Sequence, residues 1–313
     1  MFVWNVDPSL FYLPDWLLNG RGIRYYGVLY VMVFLGGYWL WERQMLKGGR
    51  TKEQAERFFT MGFLSVLIGA RLGHCLFYEA DVYLKNPIRI LYFWEGGLAS
   101  HGATISLILI LIYFAKKEGM LIREVLDRFS LSAAWGAALI RLGNFFNSEI
   151  VGRKTTDAYG VKFPRFEFTH GNVARVPCEK ECSLAGDACA EVPLRTAEGV
   201  QNLCLSLQNV PWRHASQLYE FFMGFFVFFV VWLVDKKYGE DRPVGLMGFT
   251  FLFTYFVGRF TVEFVKEFQT QQERFTMGQY LSIPFIIMGA VGIYYVLKNP
   301  VPTRSIVNPK AEN

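Results

Sequence analysis

Residues 244–264 read VGLMGFTFLFTYFVGRFTVEF, an apolar run in which Arg259 and Glu263 are the only charged side chains. A helix that crosses a bilayer needs roughly 17 to 25 apolar residues, and this run is long enough. A guanidinium at that depth costs at least ~2.5 kcal/mol on insertion scales and normally faces a bundle interior or a wet cavity. The run therefore predicts a transmembrane helix and marks Arg259 as a candidate functional residue.

Six further segments have the same character, in a chain of 313 residues that is 52% hydrophobic, 17% aromatic and 19% charged. That composition excludes an ordinary soluble domain. The predicted spans are residues 23–41, 58–78, 97–115, 128–147, 217–234, 244–266 and 280–297. The sequence therefore predicts an all-α polytopic membrane protein with seven transmembrane helices, and residues 1–313 form a single membrane domain. No cleavable signal is expected, because no basic region precedes the first apolar stretch.

Lysines and arginines in the short connections set the expected orientation, since their excess marks the cytoplasmic side. They concentrate in connections 42–57, 116–127 and 235–243 and in the tail, whereas 79–90 and 267–279 hold fewer. We therefore expect the N-terminus outside and the C-terminus in the cytoplasm. The net charge of +5 is then a topology signal that favours anionic lipid, not nucleic acid.

The long connection 148–216 is expected outside the membrane and is rich in cysteine. It holds Cys178, Cys182, Cys189 and Cys204, whereas Cys75 lies in the second span and is expected to be a small buried apolar residue. Four cysteines in an oxidising compartment favour two disulfides, with three alternative pairings. A zinc site is the rival interpretation, but His170 and His214 are poorly spaced for a finger. The connection is predicted to be a small extracytoplasmic head insert.

Polar side chains from several spans reach the outer half of the bilayer in this topology, at a rise of ~1.5 Å per residue. The residues concerned are Arg71, Arg141, Arg259, His101, Tyr26 and the run 213–220. Paired guanidiniums suit a phosphate, because they are permanently charged and offer forked donors that match its oxygens. A lipid phosphodiester is the anion expected at that depth.

Other residues at this level add chemistry to the guanidiniums. His101 carries an imidazole, which titrates near neutral pH and is a candidate general base. Glycines beside it, Gly102 among them, leave room for the backbone to approach a ligand. Glu263 lies four residues after Arg259 on the same helix face and is expected to hold that guanidinium. Asn144 supplies neutral donors and acceptors.

One run is long and specific enough to compare with a known family. It is Arg141-Leu-Gly-Asn144-Phe-Phe-Asn147-Ser-Glu149-Ile-Val-Gly152-Arg153, and it resembles the signature of the bacterial prolipoprotein diacylglyceryl transferases. Other stretches agree in order: residues 22–27, 69–73, 96–102, 213–220, and 258–259 with Glu263. The resemblance covers about the whole membrane domain.

The resemblance implies an enzyme of the bacterial cytoplasmic (inner) membrane with its active site toward the outer leaflet. Such an enzyme moves the diacylglyceryl group of phosphatidylglycerol to the thiol of a lipobox cysteine in a prolipoprotein, forming a thioether and releasing glycerol phosphate. This is the first step of lipoprotein maturation. The expected partners are phosphatidylglycerol, the lipobox-containing prolipoprotein and membrane lipids, without nucleic acid. No metal and no organic cofactor is expected, since the sequence has no helix-spaced ligand set and no phosphate loop.

The family's essential positions match Tyr26, His101, Arg141, Asn144, Glu149, Gly152 and Arg259 of this chain. The expected catalytic residues are His101, Arg141, Arg259 and Tyr26. The expected substrate-binding residues are Asn144, Glu149, Gly152, Arg71, Glu263 and Gly102. Thioether formation requires a thiolate, and the departing phosphate must be stabilised as charge develops on its bridging oxygen, which is a task for arginines. His101 either takes the thiol proton or positions the lipid.

The chain departs from the family pattern at two positions. Ala103 and Ala215 stand where the family usually has glycine and proline. Less backbone room near His101 would narrow lipid access, so these departures bear on substrate preference more than on reaction type.

Structural interpretations compete with functional ones at several positions. Arg71 could satisfy backbone carbonyls beside the glycines. Glu149 and Arg153 could form a weak interfacial ion pair. His214 and Gln217 could cap and anchor the fifth span.

Two other classes of protein could use the same arginines. A transporter or flippase for a lipid phosphate would also need polar residues in the inner halves of its spans, and often inverted repeats. The inner halves are apolar, and no repeat is found. A scaffold without activity would need no titratable group such as His101.

Overall fold

A computed structural model describes residues 2–14, 16, 22–92, 96–170, 176–177, 189–196, 199–267 and 275–307. The protein is mostly helical, and a long helix lies over each of the seven predicted spans. These helices are α1 (Tyr25–Lys47), α2 (Lys52–Phe77), α4 (Ser100–Lys117), α5 (Ile122–Phe146), α7 (Ser216–Tyr238), α8 (Leu246–Val262) and α9 (Met277–Lys298). The shorter helices are α3 (Ala80–Lys85), α6 (Pro164–His170) and α10 (Thr303–Val307), with 3-10 turns at Pro87–Leu91, Gly239–Asp241 and Glu263–Val265.

Three of the long helices have the length and composition needed to cross a membrane. They are Lys52–Phe77, Met277–Lys298, and α7 with its following turn, Ser216–Asp241. Large apolar side chains on these helices point away from the protein interior, for example Leu72, Phe226 and Val291. Contiguous exposed apolar surface of this kind is unfavourable in water and favourable in lipid. The chain is therefore a membrane protein.

The strands are short and form three small antiparallel sheets. β1 (Ser9–Tyr12) pairs with β2 (Gly22–Arg24), and β3 (Val161–Lys162) pairs with β7 (Trp212–Arg213). The third sheet has the strand order β4–β6–β5, with β4 at Val176–Pro177, β5 at Cys189–Thr196 and β6 at Gly199–Ser206.

The expectation of an all-α chain holds for the long helices but not for the connection 148–216. In β5, Ala190 and Val192 are buried and Glu191 between them is exposed, the alternation of a strand with one covered face. That face packs with Phe168 and Leu205 in a small apolar core. The prediction missed the sheet because the apolar pattern is only a few residues long.

The cysteines of this connection are partly described. Cys189 and Cys204 are both disulfide-bonded, which agrees with the disulfide interpretation and disfavours zinc for these two. Cys178 and Cys182 lie outside the described residues. The choice among the three pairings therefore stays a prediction. Cys75 is buried and free, as expected.

The chain divides into two compact units. Unit 1 contains Met1–Leu35, Ala134–Phe229 and Leu252–Met288, and unit 2 contains Gly36–Ala133, Val230–Phe251 and Gly289–Asn313. All the described strands belong to unit 1. Several long helices contribute residues to both units, so the expectation of one domain over 1–313 stays a prediction.

Unit 2 is built around aromatic side chains and a buried ion-pair network. Trp41, Phe58 and Phe114 pack together in its apolar core. Nearby, the fully buried Arg128 donates to Glu124 at 3.0 Å and to Glu240 at 3.1 Å. A buried guanidinium is stable only with such partners, because its desolvation is otherwise uncompensated.

Asp127 extends the network to the start of α8. Its carboxylate accepts hydrogen bonds from the backbone N–H groups of Gly245 at 2.6 Å and Gly248 at 2.8 Å. The free N–H groups of a helix N-terminus favour an anion, so Asp127 fixes where α8 begins. Arg242 lies beside it, 3.9 Å from the same carboxylate.

Helices α2 and α4 of unit 2 cross at a contact between glycines. A Cβ atom on Gly102 would lie 2.1 Å from the carbonyl oxygen of Gly69 and 2.8 Å from the Cα of Gly73. The space left by the missing side chain is therefore occupied by the neighbouring backbone, as in small-residue helix contacts in membranes. The prediction that Gly102 leaves room for a ligand is therefore wrong for the face of α4 that contacts α2.

We expect Gly102→Ala to destabilise the protein by about 3 kcal/mol, because the methyl group meets backbone that cannot rotate away. The free energy of unfolding in mixed detergent micelles measures this loss. Gly27→Ala is the matched control, since a Cβ atom there meets nothing within 4 Å. It should be neutral or stabilise α1 by up to ~1 kcal/mol. Equal stability of the two variants would contradict the crossing.

Candidate active site

The signature segment, residues 141–153, begins in the last turns of α5 and continues into the turn that follows it. The N–H of Glu149 donates to the carbonyl of Asn144 at 3.0 Å, and the N–H of Ser148 donates to that of Phe145 at 3.0 Å. Ser148 has φ 52, the left-handed conformation that usually follows a helix in this hydrogen-bond pattern. Glycine is the common residue there, so a serine makes this turn less favourable. The turn brings Glu149 back against the last turn of the helix.

The side chain of Glu149 is held by amides. It accepts from Asn144 Nδ2 at 2.7 Å, and Asn147 Nδ2 lies at 3.4 Å from the same oxygen. The backbone carbonyl of Glu149 accepts from Gln217 Nε2 at 2.7 Å, and Ser216 holds the next carbonyl at 3.0 Å. Gln217 thus ties the start of α7 to the signature turn, a contact that fits its interpretation as an anchor of the fifth span.

The guanidinium of Arg153 contacts the backbone and does not form an ion pair with Glu149. Its Nε donates to the carbonyl of Lys266 at 2.7 Å. The interpretation of Glu149 and Arg153 as an interfacial ion pair is therefore wrong, because the turn after α5 directs the carboxylate toward the helix end.

Gly152 lies where two other segments approach the signature. A Cβ atom on it would lie 2.6 Å from the carbonyl oxygen of Val265 and 2.7 Å from that of His214. Its N–H donates to the carbonyl of His214 at 2.9 Å. A side chain cannot fit between these carbonyls, which gives Gly152 a positioning role in the turn beside its expected substrate-binding one.

Tyr26 lies against the same turn from α1. Its ring covers Gly143, where a Cβ atom would lie 2.3 Å from the ring. Its hydroxyl is 3.4 Å from that of Tyr30 and interacts with the side chain of Asn144. The structure thus brings together Tyr26, Asn144 and Glu149, as expected.

Arg141 has a counterion that the sequence analysis missed. Its Nε lies 3.2 Å from the carboxylate of Glu220, whose side chain is 1% exposed. The other oxygen of Glu220 is 3.3 Å from Lys266 Nζ. Arg141 also interacts with the hydroxyl of Tyr255. The guanidinium therefore lies between a buried carboxylate and a tyrosine hydroxyl.

Glu263 does not hold Arg259 as expected. The α-helix ends at Val262, and Glu263 begins a 3-10 turn, which rotates its side chain away from the face predicted by a spacing of four. Its carboxylate lies 3.6 Å from Lys266 Nζ. Within the described parts of the chain, Arg259 has no hydrogen bond or ion pair.

Arg71 belongs to unit 2 and is engaged with backbone. Its guanidinium donates to the carbonyls of Ile90 at 2.9 Å and Arg89 at 2.7 Å, and also to that of Gly96. It also lies over the ring of Tyr83 at 5.0 Å. These contacts fit the structural interpretation of Arg71, which ties the connection after α2 to that helix.

His101 also belongs to unit 2, in the first turn of α4. Its side chain is exposed. Among the described residues it has no hydrogen-bond partner. An exposed imidazole can meet a substrate, so its placement is compatible with its expected role.

The sequence analysis did not name Lys266, and it named Glu220 only as part of the polar run 213–220, without its pairing with Arg141. Glu220 stands three residues after Gln217 at the polar start of α7, so both project from one side of that helix. That spacing was the feature of the sequence from which a role of Glu220 beside Gln217 could have been predicted. Lys266 gave none, because it follows the end of α8 in an irregular segment.

The arrangement can bind an anion and orient a polar group beside it. Arg141 offers a guanidinium, and Arg259 offers a second positive charge in the same unit. Hydrogen-bonding groups are provided by Tyr26, Asn144 and Glu149. No group of three or more His, Cys, Asp or Glu side chains in the described residues is arranged to hold a metal ion.

Comparison with known proteins finds the same relationship over most of the chain. The family model of the prolipoprotein diacylglyceryl transferases matches residues 16–295. The phosphatidylglycerol--prolipoprotein diacylglyceryl transferase of Tolumonas auensis is 33% identical over 296 residues, covering 93% of this chain and 96% of that protein. The protein of the same name from Porphyromonas gingivalis is 34% identical over 316 residues, covering 96% of each, and that from Chloroherpeton thalassium is 31% identical, covering 94% of each.

Proposed function

The chain belongs to the prolipoprotein diacylglyceryl transferase family, and on this basis we propose the reaction that its site performs. The protein transfers the diacylglyceryl group of phosphatidylglycerol to the cysteine thiol of a lipobox in a prolipoprotein. It is a membrane transferase of lipoprotein biosynthesis.

The reaction is a displacement at the glyceryl carbon that bears the phosphate. The cysteine sulfur forms a bond to that carbon while the bond from the carbon to the phosphate oxygen breaks. The thiol gives its proton to a base, and the electron pair of the broken bond leaves with glycerol phosphate. Catalysis therefore requires a proton acceptor near the thiol and positive charge near the departing oxygen.

The observation that carries the proposal is the guanidinium of Arg141, which lies 3.2 Å from the buried carboxylate of Glu220. A guanidinium is a forked donor that matches phosphate oxygens. Glu220 also lies 3.3 Å from Lys266, and Glu263 lies 3.6 Å from Lys266, so these two carboxylates balance the charges of Arg141 and Lys266. Arg259 has no counterion among the described residues, so the two guanidiniums together provide the positive charge that stabilises the departing phosphate.

The remaining residues take supporting roles. His101 is the base that receives the thiol proton. Tyr26, Asn144 and Glu149 orient the lipid head group beside the phosphate. Gly152 shapes the signature turn through the backbone contacts described above, and Glu263 acts through Lys266. Arg71 and Gly102 act within unit 2, where they hold the connection after α2 and the crossing of α2 with α4.

We propose the membrane arrangement from the long helices and the distribution of basic residues. The seven long helices all cross the bacterial inner membrane, with the N-terminus outside, the C-terminus in the cytoplasm and the cysteine-containing head 148–216 outside. The active site then faces the outer leaflet, where phosphatidylglycerol and an exported prolipoprotein are both accessible. Apolar outward side chains and the cytoplasmic excess of lysine and arginine support this topology.

A transfer assay tests the proposal. Purified protein in detergent is incubated with phosphatidylglycerol and a lipobox peptide, and a matched peptide with serine in place of the cysteine is the control. We expect a thioether-linked diacylglyceryl peptide and one glycerol phosphate per product, with none from the serine peptide. Movement of labelled lipid between leaflets without thioether product would support a transporter and refute the transferase.

A further inference from the structure

Many basic side chains of unit 2 are neutralised by carboxylates. Lys47 Nζ lies 2.8 Å from Asp235, and the Arg57 guanidinium lies 2.7 Å from Glu118. Carboxylate partners are also present for Arg50, Lys52, Arg128, Arg242 and Arg304. A cation paired in this way adds little net charge to the surface of the unit, because its partner cancels the charge at short range.

A second set of basic side chains in unit 2 lies over aromatic rings instead. They are exposed, and among the described residues none of them has an ion pair. Each lies in the last turns of a long helix, and its ring belongs to an exposed residue four positions earlier. The distances from charged group to ring centre are 5.6 Å for Arg43 and Trp39, 5.7 Å for Lys117 and Tyr113, 5.0 Å for Lys236 and Trp232, and 5.7 Å for Lys298 and Tyr294. We call these the four cation–aromatic pairs.

The geometry of each pair follows from its spacing. Residues four apart on a helix lie on one face, so the cation can reach over the ring. The face of an aromatic ring attracts a cation, and the partial negative charge at the C-terminal end of a helix favours one too. The ring is apolar and suits lipid chains, whereas the charge needs a polar environment. Each pair is therefore expected at the boundary between the hydrocarbon and the head groups.

The four pairs lie at one end of unit 2, because the helices that carry them end close together. The ion pairs that join these ends are Lys47 with Asp235 (α1 to α7, 2.8 Å), Lys52 with Glu42 (α2 to α1, 3.6 Å) and Arg57 with Glu118 (α2 to α4, 2.7 Å). The segments after α7 and α9 also meet, since the N–H of Val244 donates to the carbonyl of Val301 at 2.9 Å. The charges of the four pairs therefore accumulate at this end of the unit.

We propose that the four cation–aromatic pairs bind anionic phospholipids of the leaflet in which these helices end, with one lipid phosphate beside each cation. In the membrane arrangement proposed above, this is the cytoplasmic leaflet. Charge complementarity carries the choice of ligand, because an exposed cation at that depth meets lipid phosphates. A zwitterionic lipid also carries an ammonium group, which cancels part of the attraction. The bound lipids are not consumed, so the proposal is independent of the transfer reaction.

Competition between two lipids tests the proposal. Purified full-length protein in detergent is mixed with phosphatidylserine and phosphatidylcholine of the same acyl chains, and native mass spectrometry counts each bound lipid. Neither lipid is the proposed donor. We expect the wild type to bind phosphatidylserine more tightly. Replacing all four cations with glutamine should weaken phosphatidylserine binding about 5-fold and leave phosphatidylcholine unchanged.

Matched variants separate the pairs from general attraction by positive charge. Lys117→Gln and Lys116→Gln remove the same charge from neighbouring exposed positions, but Lys116 has no ring contact among the described residues. At one lipid concentration we expect Lys117→Gln to bind roughly one phosphatidylserine fewer than the wild type, and Lys116→Gln to bind the same number. These single variants also guard against a fourfold variant that fails to insert into the membrane.

Replacing the four rings with leucine keeps every charge and tests the aromatic half of the pairs. We expect about 2-fold weaker binding of phosphatidylserine, because the cations are no longer held at the ring faces. Equal binding of the two lipids by the wild type, equal effects of Lys116→Gln and Lys117→Gln, or undiminished binding by the leucine variant would overturn the proposal. None of these results would bear on the transferase reaction, which the transfer assay tests separately.

Discussion

Replacing Arg141 with lysine is expected to lower kcat/KM for transfer by about 10²–10³-fold, although the positive charge is kept. The guanidinium lies 3.2 Å from Glu220 and interacts with Tyr255, and it is the forked donor proposed for the phosphate. A lysine ammonium is a single point of charge and lacks the planar fork that matches two phosphate oxygens. Initial rates with phosphatidylglycerol and a lipobox peptide measure the loss. A rate within threefold of the wild type, ~0.7 kcal/mol or less, would contradict the role of the fork.

Glu220 provides the matched control for this experiment. Arg141→Met leaves the Glu220 carboxylate buried beside one remaining cation, so we expect it to lose stability as well as activity. Adding Glu220→Gln to Arg141→Met removes the unpaired charge. The double variant should regain stability in detergent while its activity stays at the level of Arg141→Met. Recovery of activity together with stability would show that Arg141 acts only on folding.

Replacing His101 with asparagine is expected to lower kcat by about 10²–10⁴-fold, the usual contribution of a general base. Unfolding should not change, because the His101 side chain is exposed and lacks a hydrogen-bond partner among the described residues. Rates measured across pH distinguish a histidine that takes the thiol proton from one that only positions the lipid. Loss of a base removes the fall in rate on the acidic side, whereas a residue that only positions the lipid changes KM and leaves the pH profile intact.

His170→Asn is the control for the histidine substitution. His170 is also exposed, at the end of α6 in the head, and the mechanism does not use it. Its rate and stability should match the wild type. Full activity of His101→Asn in the same assay would remove the assigned role of that histidine.

The helices could be predicted because apolar length is a local property of the sequence. Each predicted span is covered by a long helix, and the ends differ by a few residues. The sheet in the connection 148–216 could not be predicted with the same ease, since β5 shows its alternation over only Ala190, Glu191 and Val192. A short period-two pattern is readily lost among irregular segments.

The site could be predicted in part. Spacing along α5 placed Arg141 and Asn144 on one face, and the structure brings Tyr26 and Glu149 to them. Spacing failed for Glu263, because the helix changes to a tighter turn at that residue. It could not reveal the pairing of Arg141 with Glu220, since a contact between helices depends on how each helix is rotated about its axis.

Glycines gave the least reliable predictions. Gly102 was expected to open space for a ligand, yet that space is filled by Gly69 and Gly73. Absence of a side chain is equally suited to a ligand and to a neighbouring backbone. Only the packing of α2 against α4 decides between them.

The pair of Glu124 and Arg128 bears on how α5 folds during synthesis. The two residues lie four apart on one helix, 3.0 Å from each other and fully buried. This pair can form as soon as the nascent segment becomes helical, before Glu240 has left the ribosome. The new helix would then carry a cation that is already neutralised, and the later arrival of residue 240 would complete a network around a helix that has already formed.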